Sequence, residues 1–267
     1  RGLGDVYKRQ ALVLAAMVAA VGWGVLRARR GERPRIRRIA GVAAMEEAVG
    51  RATELGRPVY YVAGSRDLDD IQTVASLGIL DAVGRMSARH GCELVMPTNR
   101  SLVMAAGREV LRESYTAVGR PDAFAPDMVT YVSDDPLGFA ARVDGLIARG
   151  RPAACFFQGG FAAESLLLAE AGAQSGALQV AGTAASHQLP FLVAACDHVL
   201  IGEEFFAAEA YLTGDPEKLG SLRGQDLVKN AAVMLMLAVP LVAGLAGLSG
   251  WGWALNLRDA LLRLLQP

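Results

Sequence analysis

Cysteine is scarce in this chain: three thiols, Cys92, Cys155 and Cys196, in 267 residues. None is spaced as C-x-x-C, which excludes the usual zinc and dithiol redox motifs. An odd count also argues against a disulfide framework and fits a reducing compartment. Histidine is equally rare. His90 falls at a helix end, where a cation suits the dipole, and His198 begins a strand. His187 follows Ser186, but adjacent residues do not by themselves build a nucleophile and its base. There is no G-x-G-x-x-G and no Gly-Lys-Ser/Thr phosphate loop. Internal repeats and low-complexity tracts are missing too. Aromatic residues make up only 6%.

Charge is absent from two stretches, 11–26 and 231–257. A membrane span needs roughly 20 apolar residues. The first stretch is short for that, and a signal-peptide core is the rival reading. Arginine follows it directly, with no small-residue cleavage site, so an anchor is expected. The string RGLGDVYKRQ (1–10) resembles a translated sequencing-adapter remnant and is set outside the fold.

The second stretch is long, and Pro240 inside it should kink the helix. Ala243 and Gly247 stand four apart, a spacing that lets helices approach closely but is also common in membrane helices. Trp251 and Trp253 would mark the far interface. The expected division is a transmembrane helix over 11–27 and a basic linker over 28–40. An α/β domain over 41–218 and a linker over 219–229 come next. A second transmembrane helix over 230–253 and an amphipathic tail over 254–267 complete it.

Orientation is set by Arg27, Arg29, Arg30, Arg33, Arg35, Arg37 and Arg38, opposed only by Glu32. Basic residues beside a span stay on the cytoplasmic side. Arg223 and Lys229 precede the second span and agree. The expected location is a bacterial cytoplasmic membrane, with the domain facing the cytoplasm. The bilayer is then a partner, and the arginines of 27–38 suit anionic lipid head groups. No nucleic acid is expected, because no aromatic residue interleaves the basic run. The total formal charge of +0 hides a partition: residues 39–218 hold 13 basic and 23 acidic residues, a net −10. An acidic domain binds nucleic acid poorly.

Between the spans, β-rich and helical segments alternate. Strands are expected at 58–63, 93–96, 128–132, 153–157, 177–181 and 198–201. Helices are expected at 42–55, 68–90, 102–116, 137–149, 163–173 and 189–195. Such alternation implies an α/β, Rossmann-like, mostly parallel sheet of about six strands with helices on both faces. Asp67 is a candidate cap for the helix starting near Leu68, and Asp135-Pro136 for the helix at 137.

Ligands of open parallel sheets sit beyond the carboxyl ends of the strands. The expected rim therefore comprises Gly64 and Ser65, Thr98 and Asn99, and Ser133 and Asp134. Gln158, Gly159 and Gly160, Thr183 with Ser186 and His187, and Glu203 complete it. The turn at Gln158 to Gly160 is the most ligand-like: its glycines let backbone amides approach an anion. Tight packing is the plainer use, and Glu164 in the next helical turn would oppose a phosphate. The carboxylate pairs Asp134-Asp135 and Glu203-Glu204 would hold Mg²⁺ only if they converged. No metal centre is expected, and no cofactor or catalytic residue is assigned.

Several segments resemble an uncharacterised family of bacterial membrane proteins, a domain of unknown function. They are RPVYYVAG (57–64), DIQTVASLGIL (70–80), ELVMPTN (93–99), FFQGGFAAESLLLAEAG (156–172), AGTAASHQLPFLVAACDHVLIGEE (181–204) and YLTGDP (211–216). The resemblance implies a membrane-tethered α/β domain and carries no activity. The expected function is a ligand- or partner-binding scaffold module that assembles as a homo-oligomer or with a membrane partner. The alternative is an enzyme acting on a nucleotide or another anionic small molecule at the rim.

Overall fold

The computed structural model describes residues 3–30 and 39–249. In chain order the elements are α1 (Leu3–Arg29), α2 (Ala40–Leu55), β1 (Val59–Val62), α3 (Ile71–His90), β2 (Leu94–Thr98), α4 (Ser101–Ala117), β3 (Val129–Tyr131) and α5 (Pro136–Gly150). They continue as β4 (Ala154–Gln158), α6 (Glu164–Ser175), β5 (Leu178–Thr183), α7 (Leu189–Ala195), β6 (His198–Ile201), α8 (Glu203–Thr213) and α9 (Pro216–Ser249). Two compact units result. Ile36–Thr213 is one, and α1 with α9 belongs to the other.

The six strands of Ile36–Thr213 form one parallel sheet in the order β3-β2-β1-β4-β5-β6. Every residue of β1 and β4 is buried, as parallel strands covered on both faces require. Alternate residues feed two cores. Tyr61, Met96, Val129 and Phe156 pack on one face with apolar residues of α2, α3, α4 and α8. Tyr60, Val62, Cys155 and Phe157 pack on the other with those of α5, α6 and α7.

Two helix starts show how local chemistry sets boundaries. Asp135 caps α5, accepting from the Gly138 amide at 2.6 Å with Pro136 in the first turn. The cap of α3 is Asp70, accepting from the Gln72 amide at 2.8 Å. Asp67, expected in that role, accepts from the Leu68 amide at 2.8 Å in the preceding turn. The later start lengthens the loop after β1, which shapes the rim. Helix α8 departs from the sequence reading: Glu203 and Glu204 read as a strand-end loop and instead open a helix, whose Phe205 and Ala208 enter the first core.

Helices α1 and α9 pair through glycine. A Cβ on Gly24 would strike the Gly220 carbonyl oxygen and stand 3.1 Å from the Gly224 nitrogen. One on Gly220 would lie 2.7 Å from Ala28 Cβ, and one on Gly224 would lie 2.5 Å from Val21 Cα. Arg29 and Glu217 form an ion pair at 3.0 Å. Contacts that descend α1 ascend α9, so the helices are antiparallel. G-x-x-x-G spacing permits such backbone approach. Here it falls at 220–224, inside the stretch expected to be a linker (219–229). That stretch is helical and belongs to α9 without a break.

Among the described residues, no helix is long and apolar enough to cross a membrane. The expected span at 11–27 rises about 24 Å over its 16 charge-free residues, against roughly 30 Å of hydrocarbon. Of the span at 230–253, residues 250–253 lie outside the described residues. So do Trp251, Trp253, the tail 254–267 and the arginines of 31–38. Helix α1 begins at Leu3 and so includes residues set aside as a remnant.

Candidate functional site

In a 3-2-1-4-5-6 sheet, the order reverses between β1 and β4, where doubly wound proteins open a ligand crevice. Here the two loops that would line it lie against each other. Ser65 N–H donates to the Gly160 carbonyl at 2.9 Å. A Cβ on Gly64 would fall 2.8 Å from that oxygen, and one on Gly159 would fall 3.1 Å from the Ala63 carbonyl oxygen. Both glycines have positive φ, +78° and +127°, a region that side chains other than glycine rarely adopt. The close approach and the backbone conformation both demand glycine.

Polar side chains seal the junction. Glu164, 1% exposed, accepts from the Ser65 hydroxyl and, at 2.9 Å, from the Ala162 amide. An anion bound at the start of α6 would meet this carboxylate. Asn99 is fully buried and donates from Nδ2 to the Ser65 carbonyl at 3.1 Å, as Arg100 Nε does at 3.4 Å. Gln72 Oε1 accepts from Thr183 Oγ1 at 3.2 Å and the Ala184 amide at 2.8 Å. Gln188 Oε1 accepts from the Phe161 amide at 3.0 Å. Gln158 donates to the Val180 carbonyl at 2.8 Å, and Gly182 leaves room for its amide.

The expected rim residues thus divide. Gly64, Ser65, Thr98, Asn99, Gln158, Gly159, Gly160 and Thr183 are buried. Asp134, Ser186, His187 and Glu203 are exposed or half-buried at the surface, as is Ser133. Gln188, which follows Ser186 and His187, precedes α7 without a side-chain cap bond. Asp134-Asp135 come after β3 and Glu203-Glu204 after β6, the two outer strands. Five strand spacings of about 4.8 Å separate them, roughly 24 Å, so the pairs do not converge on one cation. Gln72 and Gln188 carry no motif that marks them in the sequence. Their one signal is a glutamine at the start of each helix that comes after a strand end.

Around this sealed centre, large apolar side chains stand exposed beside the charged and polar loop residues. Each strand end, or the opening turn of the helix after it, exposes at least one large apolar residue. They are Ile71 and Val74 after β1, Leu102 after β2, and Tyr131 with Leu137 at β3. Leu166 and Leu167 come after β4, Phe191 after β5, and Ile201 with Phe206 stands at β6. The opposite edge holds a cleft of about 470 Å³ lined by Arg57, Asp144, Ala148, Arg151, Ala171, Gln174 and Ser175. Two helix C-termini, of α5 and α6, end there, so the arginines oppose negative dipole ends.

The thiols are unsuited to nucleophilic work. Burial, with the charge of Asp197, pushes Cys196 up to about 12. Burial raises Cys155 and Cys92 as well. A nucleophilic cysteine needs the opposite shift. Among the described residues, no three His, Cys, Asp or Glu side chains gather as a metal site.

No curated protein matches the chain, and neither does any solved structure. A family model described as a domain of unknown function, DUF6754, matches residues 5–249, and the chain belongs to that family.

Proposed function

We propose that the α/β unit is a non-catalytic partner-binding module, tethered to a bilayer by the α1–α9 pair. One observation carries the binding role: the crevice where a metabolite would sit is filled by the protein's own Ser65, Asn99, Gly160 and Glu164, while apolar side chains face solvent around it. A sealed centre inside an apolar ring suits a macromolecular partner better than a small ligand. The tether rests on the exposed apolar residues of α1 (Val13, Leu14, Met17, Val18) and α9 (Val233, Met234, Met236, Leu237, Leu241). In water such faces are costly, and in lipid they are at home. The arginine-rich segment after α1 favours a cytoplasmic domain at a bacterial inner membrane, with anionic head groups beside it.

The test is a thermal-shift and native mass-spectrometry screen of the full chain in mild detergent, with adenine and guanine nucleotides, NAD and Mg²⁺. No shift and no retained mass is the expected result. A shift abolished by Asn99→Ala would replace this reading with the second one, an enzyme for a nucleotide or other anionic small molecule. That reading draws on the buried Asn99 Oδ1 and Gln158 Oε1, which have no hydrogen-bond partner. Carbonate extraction of membranes tests the tether: release of the chain into the supernatant would remove it.

A further inference from the structure

We infer that the carboxyl rim of the sheet docks a basic amphipathic helix presented by a protein partner; this rests on the partner-binding reading above and gives it a surface and a chemistry. The apolar component is the ring that includes Ile71, Leu102, Leu137, Leu166, Phe191 and Phe206, between 38% and 71% exposed. Three of the six strand-end loops beside it are acidic. Carboxylates come after β1, β3 and β6, Asp69, Asp134 and Glu204 among them, and among the described residues of the strand-end loops the arginines opposing them are Arg66 and Arg100. The same arrangement excludes the other occupants. A second copy placed rim to rim would set carboxylate against carboxylate, and like charges across an interface suppress association. An anionic bilayer would be repelled. A helix with leucine on one face and lysine or arginine on the other satisfies both components, with apolar anchors for affinity and charge for steering.

The probe is a fluorescent 18-residue Leu/Lys amphipathic peptide, titrated by anisotropy into the full chain in mild detergent. Its Leu/Glu counterpart is the charge control. The expected result is saturable binding of the Leu/Lys peptide alone, weakened roughly tenfold by Phe191→Ser with Phe206→Ser. Asp69→Lys with Glu204→Lys should weaken it similarly and flatten its salt dependence, which a merely structural role would not do. Leu55→Ser, at the opposite edge, should leave binding unchanged.

Equal binding of the Leu/Glu peptide, or insensitivity to both rim pairs, overturns the proposal. Self-association in analytical ultracentrifugation that Phe191→Ser abolishes would assign the rim to a second copy instead. Anionic-vesicle binding that Phe191→Ser abolishes would assign it to lipid. Circular dichroism of each variant separates lost folding from lost binding. The nucleotide screen remains independent: a nucleotide shift with intact peptide binding would overturn the non-catalytic reading and leave this one standing.

Discussion

The two ends of the sheet are built on opposite plans. At the carboxyl rim, a centre of buried polar side chains bonds to backbone and to neighbouring side chains, and apolar side chains stand exposed around it beside acidic loops. At the amino edge, Arg57 and Arg151 stand in solvent beside an open cleft. Strand direction explains part of the difference. Parallel strands aim every succeeding helix N-terminus at the rim and every preceding C-terminus at the other edge. Cations are drawn to C-termini, and Arg57 and Arg151 stand where α5 and α6 end. The rim could have used its amide-rich helix starts for a bound anion. Glu164 instead fills that position from within the chain, which turns a ligand crevice into a closed joint.

The largest effect should come from forcing that joint apart. Gly64→Val adds a β-branched side chain at φ +78° and less than 3 Å from a backbone oxygen. Backbone cannot yield as a flexible side chain can, so a loss of about 3 kcal/mol or more is expected, read as a urea midpoint. Retained stability would mean that the β1 and β4 loops are not in contact, and the contrast between the edges would dissolve.

Next in size is the polar seal. Ser65→Ala leaves the buried Glu164 carboxylate with one fewer donor, and a loss of about 1–3 kcal/mol is expected. Glu164→Gln tests the same bond with the charge removed. Should both variants be neutral, the rim network is ornamental and the crevice is free to open.

The layer between the edges supplies a reporter. Cys155 lies in β4 and Cys196 at the end of α7, and burial raises both thiols above an ordinary value of 9.0. Groups with raised folded-state values stabilise the fold fully below about pH 9. That contribution is lost as pH rises toward about 12, because the unfolded chain ionises first. Urea stability should therefore fall above pH 9, and less steeply in Cys155→Ala with Cys196→Ala. Thiol labelling at pH 8 should stay slow in Ser65→Ala, since loosening the rim leaves this layer intact. Fast labelling would tie rim and core into one cooperative unit.

How far the sequence revealed these plans depended on what kind of pattern encodes them. Hydrophobic periodicity made the strands and most helices legible, down to Leu189–Ala195 and His198–Ile201. Strand order and the inward turn of Asn99, Gln158 and Thr183 were not legible, because a polar residue at a strand end reads alike whether it meets a ligand or a neighbour. Glu164 reads as an obstacle to phosphate, and the structure gives it a partner in Ser65. Helix α8 hid because its acidic opening resembles a loop. The glycine contact of α1 with α9 hid because Gly220 and Gly224 stand among charged residues, where a membrane-helix motif is not sought.

The smallest effect belongs to the amino edge and has the opposite sign. Arg151 is the single non-glycine residue with positive φ among the described residues, at +42°. It ends α5, its amide donating to the Ile147 carbonyl at 2.9 Å. That position is commonly glycine, because a Cβ crowds the left-handed conformation. Arg151→Gly relieves the strain and gives back part of the gain in unfolded-chain entropy. A net stabilisation of about 0.5 kcal/mol is expected, or roughly 1–2 °C in Tm. Arg151→Ala keeps the strain and removes the charge, so it isolates what the guanidinium contributes at the cleft. If glycine destabilises while alanine does so equally, the side chain matters more than the backbone. The amino edge would then be held by its charges as firmly as the rim is held by its hydrogen bonds.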